Sequence, residues 1–410
     1  MPNPSNPSAE RTKPRKSLDG VRVLDLSRVL AGPLCTQMLA DHGADVIKIE
    51  PPSGDDTRWL GPPFDSSGDA AYFSAVNRGK RAVGVDLAKP DGKAILFQLL
   101  EQADVLVENF IPGTMKRWGL DYETQLAARF PRLIFCSING FGTDGPLGSL
   151  PGYDAVLQAA CGLMSINGEP ANGPTRIGVP IVDHLTGYTA LSGILMALYE
   201  RERTGLGQAV EATLFDAALS LLVPHAANWL SSGATPQLLG SAHPNIAPYD
   251  KFACGDGEIF LGILNDGQFR KFCESIGRAD LAADQRFSSN ALRISNRAAL
   301  RTQIEGSLSS SSREVLCRRL MHCGVPAAPV NTVAEAFGQE HARHRSMLVE
   351  REDYRGIGLP VRFSRTPGAP SSSPPTYAQH TDEVLMEAGI SAEQIAGLRD
   401  SGVLPDRPKR

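Results

Sequence analysis

One aspartate stands out among the residues of this chain that could carry chemistry. Asp183 lies in the sequence GVPIVDHLTG, residues 178–187, between an apolar run and a stretch whose apolar side chains recur at helical spacing. An aspartate at such a position commonly caps a helix, because its carboxylate accepts hydrogen bonds from the free N–H groups of the first turn. The same N–H groups would keep the carboxylate ionised, and apolar neighbours such as Ile181 and Val182 would exclude water. The pattern therefore indicates a helix cap that is also a candidate nucleophile.

Other catalytic and cofactor motifs are not found in the sequence. The turn SRVLAGP, residues 27–33, lacks the glycines of a dinucleotide-binding loop, although Glu50 ends the next predicted strand where a ribose-binding acid would lie. The sequence also contains no P-loop, GxSxG or HExxH pattern. His341 and His344 lie in a charged stretch, which favours a solvated helix face over a metal site. We therefore expect no bound metal and no permanently bound cofactor.

The composition is typical of a globular protein in a reducing compartment. The 410 residues are 42% hydrophobic and carry a net charge of only −4, so no overall field favours nucleic acid or an anionic membrane. The seven cysteines are widely spaced and form no CxxC pair, which argues against a disulfide framework and a zinc site. Residues 1–17 are polar and proline-rich, which predicts a disordered tail, and no apolar run reaches about 18 residues. We expect a cytoplasmic protein with neither a membrane nor a nucleic acid among its partners.

The first part of the chain alternates between predicted strands and helices, which predicts a parallel, Rossmann-like sheet. A strand at 21–27, a helix that opens at Pro33 and closes at Gly43, and a strand at 45–50 form the first βαβ unit. Further strands are predicted at 81–87, 104–110 and 133–140, with a helix near 90–102. Ligands of such sheets bind at the carboxyl ends of the strands. Those ends are residues 27–31, 86–88, 109–111 and 139–142.

The rest of the chain is predicted to hold two apolar helices, a linker and a second, smaller α+β domain. Apolar residues at helical spacing predict helices over 183–203 and about 214–231. A Gly/Ser/Pro-rich stretch follows, and then a hairpin around Gly255–Gly257. Residues 366–375 form an extended, proline-rich segment. The predicted organisation is a tail at 1–17, a large Rossmann-like domain at 18–231, a linker at 232–247, a small α+β domain at 248–335 and a return segment at 336–410 that completes the large domain.

The chain also carries a series of longer segments in a characteristic order. They are LDGVRVLDLSRVLAGPLCTQMLADHGADVIKIEPP, GDDTR, NRGKRAVGVDL, VENFIPG, SINGFGTDGP, GYDAVLQAACGLM, VDHLTG, TGLGQ, DGEIFLGILNDGQF, GVPAAPV and QHTDEVL. Over nearly all of residues 18–404 the sequence resembles the class III coenzyme A (CoA) transferases, which include formyl-CoA transferase, carnitine CoA-transferase and succinyl-CoA-dependent dicarboxylate transferases. The resemblance implies ring-shaped chains interlocked as a homodimer, each with a large Rossmann-like and a small α+β domain.

The resemblance places the catalytic aspartate of the family at Asp183 and implies thioester exchange on that residue. Asp183 would attack an acyl-CoA donor to give a mixed anhydride, which the freed CoA thiolate would convert into an aspartyl-CoA thioester. An acceptor acid then takes the place of the released donor acid, so CoA is a substrate and no metal, ATP or redox cofactor is needed. Backbone N–H groups near Gly187, or in the loop GSAHPN at Gly240–Asn245, are candidates for holding the oxyanions.

The resemblance also assigns the CoA site to the predicted strand ends. By position in the family, Leu30 and Ala31 line the cleft, and Asp86 and Leu87 flank the adenosine. Asn109, Phe110 and Ile111 follow the third strand end, and Arg117 meets a phosphate. The residues that border the pantetheine arm are Asn139, Gly140, Phe141 and Gly142. The phosphates need cationic partners, and the basic residues on suitable loops are Arg28, Arg58, Lys80 and Arg117. Some members place an arginine where this chain has Pro51, so Arg58 is expected to replace that contact.

Two other functions remain open from the sequence. The α-methylacyl-CoA racemases also resemble this chain, but they use a histidine in a GHD motif. This sequence has GYD at 152–154, and a tyrosine is a poor base at neutral pH. The other alternative is a CoA-binding protein without activity. GSAHPNIAPYDKF and NDGQF are closest to transferases that move CoA from succinyl-CoA to small dicarboxylates, where His243, Asn245 or an arginine of the partner chain would hold the second carboxylate.

Overall fold

A parallel β-sheet forms the centre of the first part of the chain in the computed structural model, which describes residues 15–351, 353–406 and 408. Its strands are β1 (Arg22–Asp25), β2 (Asp45–Glu50), β3 (Arg81–Gly84), β4 (Val105–Glu108), β5 (Ile134–Asn139) and β6 (Ala209–Thr213). They are arranged in the order β3-β2-β1-β4-β5-β6, and Val23 pairs with both Val46 and Val105. This is the order of a doubly wound, Rossmann-like fold, and it places the topological switch point between β1 and β4. Most of the tail predicted at 1–17 lies outside the described residues.

The strand sequences explain why this sheet is buried. Val23 and Leu24 of β1 and Val105 and Leu106 of β4 have no exposed surface. Strands of a parallel sheet that is covered on both faces read as continuous apolar runs. The predicted parallel, Rossmann-like sheet is therefore confirmed. Strand β6 was not predicted, because its sequence AVEAT is short and its first three residues are not buried.

The helices connect and cover the strands. In chain order they are α1 (Ala31–Asp41), α2 (Ala71–Ala75), α3 (Pro90–Leu100), α4 (Thr114–Arg117), α5 (Ala127–Arg129), α6 (Asp154–Ala160), α7 (Leu163–Ile166), α8 (Ile181–Thr204), α9 (Leu214–Ser220), α10 (His225–Ser232), α11 (Asp266–Ser275), α12 (Ala279–Ala283), α13 (Asn290–Ser295), α14 (Arg297–Leu308), α15 (Arg313–His322), α16 (Val333–Gly338), α17 (Glu340–His344), α18 (Thr381–Glu387) and α19 (Ala392–Asp400). Short 3₁₀ turns occur at Asp56–Trp59 and Gln285–Phe287, and one π-helical turn at Tyr122–Leu126.

Helix α8 is the long apolar helix that the sequence predicts. In the described part of the chain it alone has the length and composition of a membrane span, a test that a core helix of a soluble protein also passes. Ala190 and Ile194 have no exposed surface, and Arg201 is buried near its end. The helix lies against α1 and the sheet. Packing therefore accounts for the apolar side chains on one face of α8, whereas Leu195, Met196 and Tyr199 of the same helix are 40%, 67% and 69% exposed.

The second predicted apolar helix, at 214–231, is wrong as a single element. The structure has α9 and α10 there, and Pro224 is the residue directly before α10. A proline has no N–H group and clashes with the preceding helical turn, so it ends one helix and starts the next.

The chain divides into two compact units. The first comprises the described residues up to Leu157, Val179–Ser220 and the described residues from Arg343 onward. The second comprises Gln158–Gly178 and Leu221–Ala342. The sequence-based boundaries instead placed 158–178 and 221–231 in the large domain. One reason for the difference is that the Gly240 N–H donates to the carbonyl of Gly168 over 3.1 Å, which ties 158–178 to the predicted linker.

The second unit contains an antiparallel sheet in the order β7-β8-β9, with helices packed on it. Its strands are β7 (Tyr249–Cys254), β8 (Gly257–Gly262) and β9 (Ala327–Pro329). The hairpin of β7 and β8 lies where the sequence predicts it, with Cys254 opposite Gly257. Phe252, Ile259 and Phe272 belong to its core. The unit thus has the expected α+β character.

The C-terminal part of the chain returns to the first unit. A small antiparallel pair, β10 (Leu348–Glu350) and β11 (Arg355–Ile357), precedes the proline-rich segment. Val384 and Leu385 of α18 and Ile395 of α19 are buried in the same core as Leu24 and Ile47 of the sheet. The last helices are therefore part of the hydrophobic core that supports the strand ends.

Candidate active site

Asp183 lies in the first turn of α8, but it does not cap the helix. The residue before the helix is Pro180, and neither its side chain nor that of Asp183 bonds to the free N–H groups of the first turn. The N–H groups of Val182 and Asp183 donate to Oδ2 of Asp154, over 2.8 and 3.2 Å. Asp154 begins α6, so a carboxylate from another helix occupies the positive end of α8. The expectation that Asp183 caps its own helix is wrong.

The Asp183 carboxylate differs electrostatically from an exposed aspartate. Burial, and next the negative charge of Asp154, raise the pKa of Asp183 to about 7. The expectation that free N–H groups keep it ionised is also wrong, because those groups are bonded to Asp154. Within the described residues no group donates a hydrogen bond to the Asp183 side chain. A carboxylate with a raised pKa and no donors is more nucleophilic once it is deprotonated.

Asp183 lines a cavity of about 220 Å³ at the carboxyl ends of β1, β4 and β5. The predicted site residues that line it together with Asp183 are Arg28, Leu30, Ala31, Asn109, Phe110, Ile111, Asn139 and Gly140. The cavity therefore lies at the switch point of the sheet, where ligands of this fold bind. Its size suits a small acyl group rather than a whole CoA molecule. Among the described residues, no group of three or more His, Cys, Asp or Glu side chains is arranged to hold a metal ion.

The turn between β1 and α1 forms one wall of this cavity and is held from behind by buried charges. Val29 has a φ of 70°, which is a strained, left-handed conformation for a β-branched residue. Its N–H donates to Asp55 Oδ1 over 3.3 Å. Lys48 Nζ donates to the carbonyl of Ser27 over 2.8 Å and to Asp55 Oδ2 over 2.9 Å. Lys48 and Asp55 have no exposed side-chain surface, so the wall rests on a buried ion pair.

Two of the predicted phosphate ligands are buried in ion pairs. Arg58 has no exposed surface and pairs with Glu50 at 2.7 Å and with Asp69 at 2.6 Å. Lys80 is 1% exposed and pairs with Asp25 at 2.9 Å. Turning either side chain toward a phosphate would leave its carboxylate partners buried and unpaired, which costs several kcal/mol. The predictions that Arg58 and Lys80 bind CoA phosphates, and that Arg58 serves in place of an arginine at position 51, are wrong.

Arg117, Asp86 and Leu87 do not line the cavity. The Arg117 side chain is exposed at the end of α4 and donates to Thr114 Oγ1 over 2.8 Å. Asp86 and Leu87 follow β3, where the Asp86 carboxylate accepts the N–H of Ala88 over 3.1 Å. Arg117 is thus a solvent-accessible cation in the segment that follows β4, and its assignment to phosphate stays a prediction.

Phe141 and Gly142 lie just behind the part of the wall formed by β5. The Phe141 ring packs against Phe215 with centroids 5.9 Å apart. The Gly142 N–H donates to Asn139 Oδ1 over 2.5 Å, and Asn139 itself lines the cavity. These residues therefore shape the loop after β5.

The predicted oxyanion donors lie in different units. Gly187 is inside α8, and a Cβ there would come within 2.7 Å of the Ala31 carbonyl oxygen, so this glycine allows close packing of α8 on α1. Gly240, His243 and Asn245 belong to the second unit. Within that unit the His243 N–H donates to the Tyr249 carbonyl over 3.0 Å, and Asn245 N–H donates to His243 Nδ1 over 3.0 Å. Their role toward an oxyanion stays a prediction.

Sequence reasoning missed three residues near Asp183. The sequence analysis considered Asp154 only as part of the GYD motif, although an acid at the start of one helix can accept the free N–H groups at the N-terminus of another. Asp56 lines the cavity. Tyr72 has its pKa raised to about 12 by burial and next by the charge of Asp183. The acidic pair DD at 55–56 was a visible signal, whereas nothing in the local sequence indicates the position of Tyr72.

The geometry can be compared with known proteins. The model of CoA-transferase family III matches residues 18–381. Succinate–glutarate CoA-transferase of Agrobacterium fabrum is 41% identical over 90% of this chain and 95% of its own length. Succinyl-CoA:mesaconate CoA-transferase of Haloarcula hispanica is 39% identical over 91% of this chain and 97% of its own. A crystal structure of a CaiB/BaiF family protein from Brucella suis superposes with a TM-score of 0.83 at 42% identity, covering 91% of this chain and 100% of that one.

Proposed function

The chain belongs to CoA-transferase family III, and from this premise we propose that Asp183 carries CoA covalently between two carboxylic acids. The protein is therefore a CoA-transferase. The observation that carries the proposal about Asp183 is its position. It is the carboxylate with a pKa raised to about 7 that lines the cavity at the switch point of the sheet.

The donor is succinyl-CoA and the acceptor a small dicarboxylate. Support comes from relatives of similar length that are named for succinate and glutarate or for succinyl-CoA and mesaconate. The small volume of the cavity, about 220 Å³, agrees with acids of this size.

The exchange proceeds through covalent steps on Asp183. A carboxylate oxygen of Asp183 attacks the donor carbonyl, and the C–S bond breaks. The CoA thiolate departs, and an aspartyl–succinyl anhydride is formed. The thiolate then attacks the aspartyl carbonyl and releases succinate, which gives an aspartyl-CoA thioester. The acceptor carboxylate attacks this thioester and displaces the CoA thiolate, which gives an anhydride of Asp183 with the acceptor. The thiolate then attacks the acceptor carbonyl of this anhydride, which releases the acceptor's CoA thioester and regenerates Asp183. Overall, one acyl-CoA thioester is exchanged for another of similar energy, so the reaction proceeds without ATP.

CoA lies along the strand ends, with its acyl end in the cavity. Asn109–Ile111 and Asn139–Gly140 line the path there. Arg117 is the remaining predicted phosphate ligand outside the cavity, because its guanidinium is exposed and forms no ion pair among the described residues. Asp86 and Leu87 remain candidates for the adenosine end. Gly240, His243 and Asn245 remain candidates for the oxyanion.

The protein acts as an interlocked homodimer in the cytoplasm. Support comes from apolar side chains that the isolated chain leaves exposed on α8, where Met196 is 67% and Tyr199 is 69% exposed. Large apolar side chains grouped on one helix face are typical of protein interfaces. The same surface explains why α8 resembles a membrane span by composition.

Trapping of the covalent intermediate tests this function. Incubation with succinyl-CoA followed by hydroxylamine is expected to modify Asp183, which mass spectrometry of the peptide would show. Asp183→Asn is expected to lose transferase activity by about 10⁴-fold or more while remaining folded. Exchange of an α-proton for deuterium in the absence of an acceptor would instead indicate the racemase alternative. CoA binding without any adduct would indicate an inactive binding protein.

A further inference from the structure

We propose that Arg28 binds the distal carboxylate of the dicarboxylate substrates while their other end reacts at Asp183. The inference rests on the proposed function and names the residue that distinguishes diacids from monoacids. Both the succinyl group of the donor and the acceptor acid would use it, because each in turn occupies the same cavity.

A diacid in this cavity needs a cation. Besides Asp183 the cavity is lined by Asp56, so a second carboxylate of the substrate would meet like charges. In the described part of the chain, Arg28 is the only lysine or arginine that lines it. A guanidinium offers paired N–H donors that match the two oxygens of a carboxylate.

The Arg28 guanidinium is available for a ligand. Its nearest partner is Asp56 at 3.4 Å, and the two side chains are 34% and 60% exposed. A pair at that distance and exposure contributes little. Arg58, in contrast, is fully buried and holds its carboxylate partners at 2.6 and 2.7 Å. Of the predicted phosphate ligands near the sheet, Arg28 can therefore exchange its partner without leaving a buried charge.

The backbone that carries Arg28 is fixed even though its side chain is not. The Arg28 N–H donates to Asn109 Oδ1 over 2.8 Å, and Asn109 Nδ2 donates back to the Arg28 carbonyl over 2.7 Å. The guanidinium carbon lies 5.9 Å from the centre of the Phe110 ring. The strained Val29 follows directly. A cation on a rigid backbone loses less conformational entropy when a carboxylate binds.

The alternative ligand for Arg28 is a CoA phosphate. The reacting sulfur and the phosphates lie at opposite ends of the pantetheine arm. Because Arg28 and Asp183 line the same cavity of about 220 Å³, Arg28 lies at the acyl end of that arm. The geometry therefore favours a substrate carboxylate over a phosphate.

The test compares donors that differ only in the distal charge. Succinyl-CoA and butyryl-CoA have the same chain length, but butyryl-CoA has a methyl group in place of the carboxylate. In Arg28→Gln we expect kcat/KM for succinyl-CoA to fall by about 10- to 100-fold, the effect of one charged hydrogen-bonded contact, and that for butyryl-CoA to change by less than about 3-fold. Glutarate and valerate give the same comparison on the acceptor side. Arg28→Lys should recover part of the loss.

A matched variant distinguishes a substrate carboxylate from a CoA phosphate as the ligand of Arg28. Arg117→Gln, at the proposed phosphate contact, is expected to weaken both donors equally. An equal loss with both donors in Arg28→Gln would overturn the inference and assign Arg28 to a phosphate. Where butyryl-CoA reacts too slowly, its inhibition constant against succinyl-CoA replaces its kcat/KM. The parent enzyme tests the proposed function separately: if it shows no preference for diacid acceptors, the dicarboxylate proposal fails whatever the variants do.

Discussion

Asp154 and Asp183 are neighbouring carboxylates with different surroundings. Asp154 accepts two N–H groups at the start of α8, an arrangement that stabilises its negative charge. Asp183 has no such donors among the described residues, and its pKa is raised by burial and by Asp154. The two carboxylates therefore differ in their contacts: Asp154 accepts the N–H groups of α8, whereas Asp183 faces the cavity without a donor and is the proposed nucleophile.

The raised pKa of Asp183 predicts how activity depends on pH. In the proposed mechanism Asp183 must lose its proton before it can attack, so kcat/KM for succinyl-CoA should rise with pH and level off above about 7. Asp154→Asn removes the negative neighbour but keeps an oxygen that can accept the N–H groups of α8. We expect this variant to shift the midpoint of the rise to lower pH. A pH profile of the first half-reaction, measured as release of succinate from succinyl-CoA, checks this.

Asp154→Ala serves as the control for that experiment. It removes both the charge and the hydrogen bonds to α8, so it should also lower the melting temperature, by an amount that corresponds to a lost helix cap of about 1 kcal/mol. An unchanged midpoint in Asp154→Asn would contradict the assignment of the profile to Asp183.

The turn between β1 and α1 shows how a buried ion pair can hold an active-site wall. Lys48 and Asp55 contact the backbone of this turn on either side of Arg28, at Ser27 and Val29. A left-handed valine costs about 1–2 kcal/mol, and such strain persists only where the surroundings enforce it. We infer that the ion pair positions the turn and that Val29 stores the strain.

A double-mutant cycle tests this inference. Asp55→Asn weakens the contact to Val29, and we expect it to lower kcat/KM for succinyl-CoA by about 5- to 30-fold because the turn relaxes away from the cavity. Val29→Gly removes the strain, since glycine adopts a positive φ freely. In the Val29→Gly background, Asp55→Asn should therefore lower kcat/KM for succinyl-CoA clearly less than it does in the parent protein.

Val29→Ala is the matched control in this cycle. It shortens the side chain as glycine does but keeps the strain, so it should not rescue Asp55→Asn. Additive effects of Val29→Gly and Asp55→Asn on kcat/KM would show that the turn is not held in the proposed way. Circular dichroism of each variant ensures that only folded proteins are compared.

The elements show what sequence patterns can and cannot predict. Alternating apolar strands and helices predict the parallel sheet, because burial on both faces requires continuous apolar runs. The same patterns do not predict the partners of Arg58 and Lys80. The local sequence around a basic residue on a loop is the same whether its side chain contacts a phosphate or a buried carboxylate. Only the fold brings Glu50 and Asp69 to Arg58. The interaction of Asp154 with α8 is likewise a contact between helices far apart in sequence.

At the scale of the whole molecule, residues from both ends of the chain build the first unit. Val384 and Leu385 pack in one core with β1 and β2, and Arg81 at the sheet edge pairs with Glu383 at 3.0 Å. The second unit is inserted between these parts in sequence. The interlocked dimer proposed above requires a chain that leaves a unit and returns to it, as this chain does.

Interlocking predicts an unusual resistance to subunit exchange. Two chains held only by a surface contact, such as one around Met196 and Tyr199, would dissociate and recombine on mixing, whereas two threaded rings must unfold to separate. We expect purified homodimers that carry different affinity tags to form no mixed dimer over a day at 25 °C, and to form it after denaturation and refolding together. Pull-down through one tag with detection of the other measures this. Mixed dimers that appear within hours under native conditions would show that the rings are not threaded, while leaving the chemistry at Asp183 untouched.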